Sequence, residues 1–116
     1  MQKIDNKGIA KLKGTVAYPG NTRGKALLVK DKHFKQAKRE YILIAEATYP
    51  EYIPIMLKAK GIITEVGGIL SHAAIVAREF KIPCIVGVEG ATDKIKDNDQ
   101  ITMQKDGVIY VEYKRK

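Results

Sequence analysis

Residues 61–87 read GIITEVGGILSHAAIVAREFKIPCIVG, and the order of residue types within them decides how the chain folds. The apolar run Gly61-Ile62-Ile63-Thr64 predicts a strand, Gly67-Gly68 a turn, and Ser71 to Phe80 a helix. A second apolar run, Ile82 to Val86, predicts another strand. Strand, glycine turn, helix and strand in this order make a βαβ unit, and the turn at the first strand's carboxyl end is where such units carry ligands. His72 stands at that turn.

With Ser71 as N-cap, its hydroxyl accepts from a backbone amide two or three residues on, and His72 falls in the first helical turn. The free amides and the partial positive charge of a helix start favour an anion, each effect contributing about 0.3–1 kcal/mol at a surface. That is too little to drive a reaction, but it helps to hold a phosphate beside an imidazole. Gly67 and Gly68 allow close backbone approach and positive φ. Two readings of these residues stand side by side: a phosphate pocket with a histidine nucleophile, or a tight turn followed by a polar helix residue.

The run from Thr64 to Gly87 closely resembles the signature of the mobile phosphohistidine domain of phosphoenolpyruvate-utilising enzymes. Thr64, Gly67, Gly68, Ser71, His72, Ala74, Ile75, Ala77, Arg78, Glu79, Ile82, Pro83, Val86 and Gly87 all fall where that pattern puts them. KGTVAYPGNTRGKALLV (Lys13 to Val29) is similar to the opening of these domains, and DNDQITMQKDGVIYV (Asp97 to Val111) to their closing hairpin. The resemblance implies an α/β swivelling β/β/α domain, a mixed sheet with flanking helices, over residues 13–116, leaving 1–12 as a lead-in or linker. It implies that His72 is the phosphocarrier nucleophile, with Gly67, Gly68 and Ser71 shaping the phosphate pocket and Thr64 supporting it. Thr48 is a weaker candidate, because the corresponding loop faces the phosphohistidine site in the family. Leu70 stands where the dikinases carry a regulatory threonine, which favours a synthase-type or drug-phosphorylating relative.

The rest of the chain reads as scaffold. The chain's 116 residues, 45% hydrophobic and 29% charged, suit one domain with one core. No apolar run approaches the roughly 18–20 residues of a membrane span, and the amino terminus lacks the apolar core of a secretory signal, so a cytoplasmic protein is expected. Cys84 is the single cysteine, which excludes an intrachain disulfide or a cysteine cluster, and its apolar strand makes it a small core residue. Tyr41 to Ala45 is a continuous apolar strand of the kind buried on both faces. Thr48 reads as the cap of a helix over roughly residues 51–60, with Pro54 tolerated in its first turn. In the helix after Ser71, Ala73, Val76, Ala77 and Phe80 form the buried stripe, and Arg78 falls on another face as a weak phosphate-binding candidate. Gly87 to Thr92 reads as a loop, and Asp106-Gly107 joins two final strands in a hairpin. His33, in a charged stretch, reads as a surface residue.

Charge is uneven. Residues 1–40 carry 11 Lys or Arg against 3 Asp or Glu, whereas residues 41–116 carry 10 of each. The cations are scattered singly without interleaved aromatics, which reads as a solvated face and argues against a nucleic-acid module.

A neutral imidazole offers a nitrogen lone pair that can attack phosphorus in line. Phosphoryl transfer also needs charge neutralisation, usually from magnesium and cationic side chains. The chain has no P-loop and no evident carboxylate cluster, so no metal or cofactor is expected on it. The resemblance implies that magnesium and ATP or phosphoenolpyruvate bind to partner domains, in cis or in trans. These would be a nucleotide-binding, ATP-grasp-like domain and a phosphoenolpyruvate/pyruvate-binding barrel. The alternative is a free-standing regulatory or binding module of the same fold without phosphotransfer turnover.

Overall fold

The computed structural model describes residues 8–30 and 40–113. It is a mixed α/β fold with eight strands in one sheet: β1 (Ile9–Lys13), β2 (Thr15–Tyr18), β3 (Thr22–Val29), β4 (Tyr41–Ala45), β5 (Gly61–Thr64), β6 (Cys84–Val86), β7 (Gln100–Met103) and β8 (Val108–Glu112). Their order across the sheet is β1-β8-β7-β3-β4-β5-β6-β2. The central run β3-β4-β5-β6 is parallel, and the remaining pairings are antiparallel. Among the described residues three α-helices accompany the sheet: α1 (Ile53–Leu57), α2 (His72–Phe80) and α3 (Ala91–Lys94). None of these is long and apolar enough to cross a membrane.

β1 and β2 lie at opposite edges of the sheet, yet only Gly14 separates them in the chain. The sheet must therefore curl until β1 and β2 meet at Gly14, where the Gly14 amide donates to the Gly107 carbonyl at 3.1 Å and extends the β1–β8 ladder by one rung. A Cβ on Gly14 would lie 2.5 Å from Val88 Cγ2 and 2.7 Å from the Val86 carbonyl oxygen. Only glycine lets the backbone through.

Curling separates two cores. Inside the curl, Ala10, Leu12, Ile42, Ile44, Ile63, Ile101, Ile109 and Val111 pack together. On the outer face, Leu43, Ala45, Ile62, Cys84 and Val86 pack against Met56 of α1 and Ala73, Val76 and Ala77 of α2. β4 alternates between the two cores, so all five of its residues are buried, as its apolar run implies.

Several expectations change here. Residues 9–12, assigned to a lead-in, form most of β1, because Ala10 and Leu12 alternate into the inner core while Lys11 and Lys13 face out. Residues 1–7 and His33 lie outside the described residues. The helix expected over residues 51–60 is instead a 3-10 turn, Pro50–Tyr52, running into the five-residue α1. Pro54 has no amide to give the Pro50 carbonyl, so the Ile53 amide takes that oxygen one residue earlier, in 3-10 geometry. Thr48 is not its cap; Tyr49 precedes the turn and makes no side-chain cap bond. Phe80 is 51% exposed rather than buried, and Ala74 takes its place in the stripe. Phe80 is the last residue of α2, next to the left-handed C-cap Lys81 where the chain turns back toward β6, and the residue after that cap, Ile82, fills the outer core instead. Ala91 and Thr92, expected as the end of a loop, instead open α3, a helix too short to leave a periodic signal.

Candidate functional site

β5 delivers the chain into the glycine turn, and α2 leads it away. The Ser71 backbone is extended (φ −71°, ψ 163°) and its Oγ accepts from the Ala74 amide at 3.3 Å, so Ser71 caps α2 and His72 is its first residue, as expected. Gly67 has φ +106°, and a Cβ there would lie 2.9 Å from Ser71 Cβ. The turn can therefore close on the cap only with glycine. Gly68 differs: its φ is not positive, and a Cβ there would meet open space. Its lack of a side chain leaves room beside the turn, not a special backbone conformation.

Two loops embrace the histidine. The β4–β5 ladder continues past the strand ends, with the Glu65 amide donating to the Ala45 carbonyl at 3.0 Å and the Val66 amide to the Glu46 carbonyl at 2.9 Å. This holds the loop containing Thr48 beside the loop containing Gly67. Thr48, 6% exposed, places its Oγ1 2.8 Å from His72 Nδ1. Nε2 has no partner among the described residues. Because no buried side-chain nitrogen or oxygen lacks a hydrogen-bond partner, Nε2 must reach solvent. The ring is half-buried, tethered at one nitrogen and open at the other.

Thr64 is 1% exposed and donates its hydroxyl to the Val66 carbonyl at 2.9 Å. It braces the turn from beneath and does not line the surface beside His72. Arg78 is exposed in the last turn of α2, six residues and about 9 Å of helix rise from His72, so the fold does not bring it to the imidazole. The turn that leads to His72 and the first turn of α2 expose apolar side chains: Val66, Ile69, Leu70 and Ile75 are 47%, 54%, 81% and 53% exposed. Among the described residues no group of three or more His, Cys, Asp or Glu is arranged to hold a metal.

One side-chain clasp has no counterpart in the sequence reading. Glu65 Oε1 accepts from the Thr92 amide at 2.9 Å and the Thr92 hydroxyl at 2.6 Å, fastening the start of the glycine turn to α3. These bonds, with Lys30 and Lys94 nearby, hold the Glu65 carboxyl below the usual carboxylate range. Glu65 also borders a cleft of about 640 Å³ at the carboxyl ends of β3 and β4, lined in part by Lys30, Glu46, Tyr49 and Tyr52. Neither His72 nor Thr48 is in its wall. Cys84 is buried in the outer core, and burial pushes its thiol up to about 12.

The chain is similar to several known proteins. It is 40% identical over 119 residues to a probable phosphoenolpyruvate synthase of Staphylothermus marinus, a match that covers 93% of this chain and 14% of that protein. An enzyme I solution structure matches with a TM-score of 0.57 and 29% identity, covering 68% of this chain and 33% of that one. Aconitase X of Thermococcus kodakaraensis matches with a TM-score of 0.68 at 18% identity, covering 89% of this chain and 98% of that one, which is a likeness of fold alone. The family described as PEP-utilising enzyme, mobile domain matches residues 37–107. That match takes in more than half of the chain, including the turn, the capped helix and His72, and the chain therefore belongs to the PEP-utilising enzyme mobile domain family.

Proposed function

We propose that this chain is a phosphohistidine carrier that accepts a phosphoryl group on Nε2 of His72 and passes it on. The single observation that carries the reading is the tethered ring: Nδ1 is held by Thr48 at 2.8 Å while Nε2 reaches solvent at the start of a capped helix. A nucleophilic Nε2 needs its lone pair, so the neutral ring carries its proton on Nδ1 and the Thr48 oxygen accepts it. Attack forms a P–N bond at Nε2 and breaks the donor's P–O bond, whose electrons leave with the donor oxygen. Nδ1 keeps its proton throughout, and transfer to an acceptor oxygen reverses the bookkeeping.

On this reading Gly67, Gly68 and Ser71 shape the phosphate's surroundings, with Thr64 bracing them. The exposed apolar side chains of Val66, Ile69, Leu70 and Ile75 suit a surface covered by the donor during transfer, when water must be kept from the phosphoryl group. Magnesium and the donor, ATP or phosphoenolpyruvate, belong to partner domains: a nucleotide-binding, ATP-grasp-like domain and a phosphoenolpyruvate/pyruvate-binding barrel. The names of the relatives support the assignment, and so does the small share of their length that this chain spans. The cytoplasm is its proposed compartment.

Phosphoramidate, a small donor that needs no partner, supplies the test. It should label the chain with acid-labile phosphate, and nitrogen-resolved NMR should place the group on Nε2. Label of equal yield in His72→Ala would end the assignment. Transfer from phosphoenolpyruvate should then require a relative of the Staphylothermus type carrying alanine in place of its own matching histidine.

A further inference from the structure

Four of the eleven cations in residues 1–40 come together on one face of the sheet. Strand register places Arg23 opposite Thr102, Thr102 opposite Tyr110, and Tyr110 opposite Lys11. The neighbouring rows add Lys25, Gln100 and Glu112 on one side, and Lys13 opposite Val108 on the other. Paired strand residues share a face, and the alternate residues Ala10, Ile101, Ile109 and Val111 fill the inner core. Lys11, Lys13, Arg23 and Lys25 therefore stand on the outer face of β1-β8-β7-β3, all four exposed. None has an ion-pair partner among the described residues. The described helices lie over β2, β4, β5 and β6, leaving this face uncovered by them.

The geometry is regular. The two cations on each strand are about 7 Å apart, and the β1 pair lies about 14 Å from the β3 pair across three strand spacings. Half-buried Tyr110 occupies the middle, with Thr102 and Gln100 as neutral hydrogen-bonding groups and Glu112 as the one carboxylate.

We infer that this face binds single-stranded RNA. Two lines of positive charge flank an aromatic ring on the outer face of the curled sheet. That matches a phosphate chain whose bases stack on the sheet, and Thr102 and Gln100 can meet ribose hydroxyls. An acidic protein surface would also satisfy the four cations, but it has no use for the row of neutral Thr102 and Gln100 beside them, and the poly-glutamate arm of the test distinguishes the two. The aromatic missing from the basic third of the sequence is supplied by β8, about 90 residues further on.

The test is fluorescence anisotropy with a labelled single-stranded RNA 12-mer of mixed sequence, in 50 to 200 mM salt. Binding is expected with a dissociation constant of about 1–100 µM. Neutralising four phosphates gives a slope of about −2.8 in log K against log salt, so affinity should fall about 50-fold over that range. The doubly reversed Lys11→Glu/Arg23→Glu should abolish binding, and Tyr110→Ala should weaken it at least fivefold, with Tyr110→Phe retaining it. All these positions face solvent at least in part, and circular dichroism melting confirms that each variant is folded; Lys25→Glu offers a second reversal. The inference is overturned if RNA fails to bind at 50 mM salt or if charge reversal leaves binding unchanged. It is also overturned if poly-glutamate competes at equal charge concentration while Tyr110→Ala binds normally, or if the deoxy oligomer binds equally well. Phosphoramidate labelling of His72 should be unaffected in every variant, so the two assignments stand or fall separately.

Discussion

Replacing Thr48 by valine removes one oxygen and keeps the side chain's shape. In the wild type that oxygen lies 2.8 Å from His72 Nδ1, and Thr48 is only 6% exposed, so water cannot readily take its place. A net hydrogen bond of this kind contributes about 0.5–1.5 kcal/mol, and the buried position argues for the upper half of that range. On the carrier reading the bond does two things: it fixes the ring's orientation and selects the tautomer with the Nε2 lone pair free. Losing about 1–1.4 kcal/mol of that preference should slow Nε2 phosphorylation by phosphoramidate about five- to tenfold. Thr48→Ser should restore the rate, because the hydroxyl returns. NMR of the ring nitrogens should show the Nδ1–H form predominating in wild type and Thr48→Ser, and a mixture in Thr48→Val. Should Thr48→Val be labelled at the wild-type rate and on the same nitrogen, the threonine has no part in presenting the imidazole.

Gly14→Ala drives a Cβ to 2.5 Å from Val88 Cγ2 and 2.7 Å from a carbonyl oxygen; urea unfolding should show a loss of about 1–3 kcal/mol, and an unchanged midpoint would mean that the junction of β1 and β2 has slack. The Cys84 thiol, pushed up to about 12 by burial, should resist iodoacetamide at pH 8 in the folded protein and react at once in urea. Because its folded value lies above its unfolded one, its contribution to stability is complete below the unfolded value of about 9 and is lost as pH rises from there toward 12. Glu65 runs the other way: its folded pKa is depressed, so its contribution is present above the ordinary carboxylate pKa and is lost as pH falls through the folded value. Stability curves of wild type and Glu65→Gln should therefore converge in acid, and parallel curves would show that the Thr92 clasp carries no proton linkage.

The central unit was legible because each of its signals is local. β4, β5, the Ser71 cap and the hairpin at Asp106-Gly107 follow from residues within one turn or one strand of each other, and all appear as expected. What escaped depends on partners distant in the chain. Local residues make Thr48 look like a cap beside Pro50, and only the family resemblance made it a candidate at the site, because its partner lies 24 residues on. Glu65 meets Thr92 across 27 residues. β1 carries only two inward residues, Ala10 and Leu12, too few to outweigh its lysines until β8 pairs with it. Nothing near Gly14 in the sequence announces that two sheet edges converge there. Phe80 kept its helical phase but sits at the helix's last position, where Ile82 beyond the cap takes the core place.

A sheet whose first two strands are its opposite rims has no hem along which to open. Bending β2 away from β1 would pull against a single peptide wedged between Val86 and Val88, so the frame is stiff where many sheets are pliant. On the carrier reading, His72 then travels only as the whole body travels. How often it visits a donor becomes a matter of tether length and effective concentration rather than of any motion inside the domain.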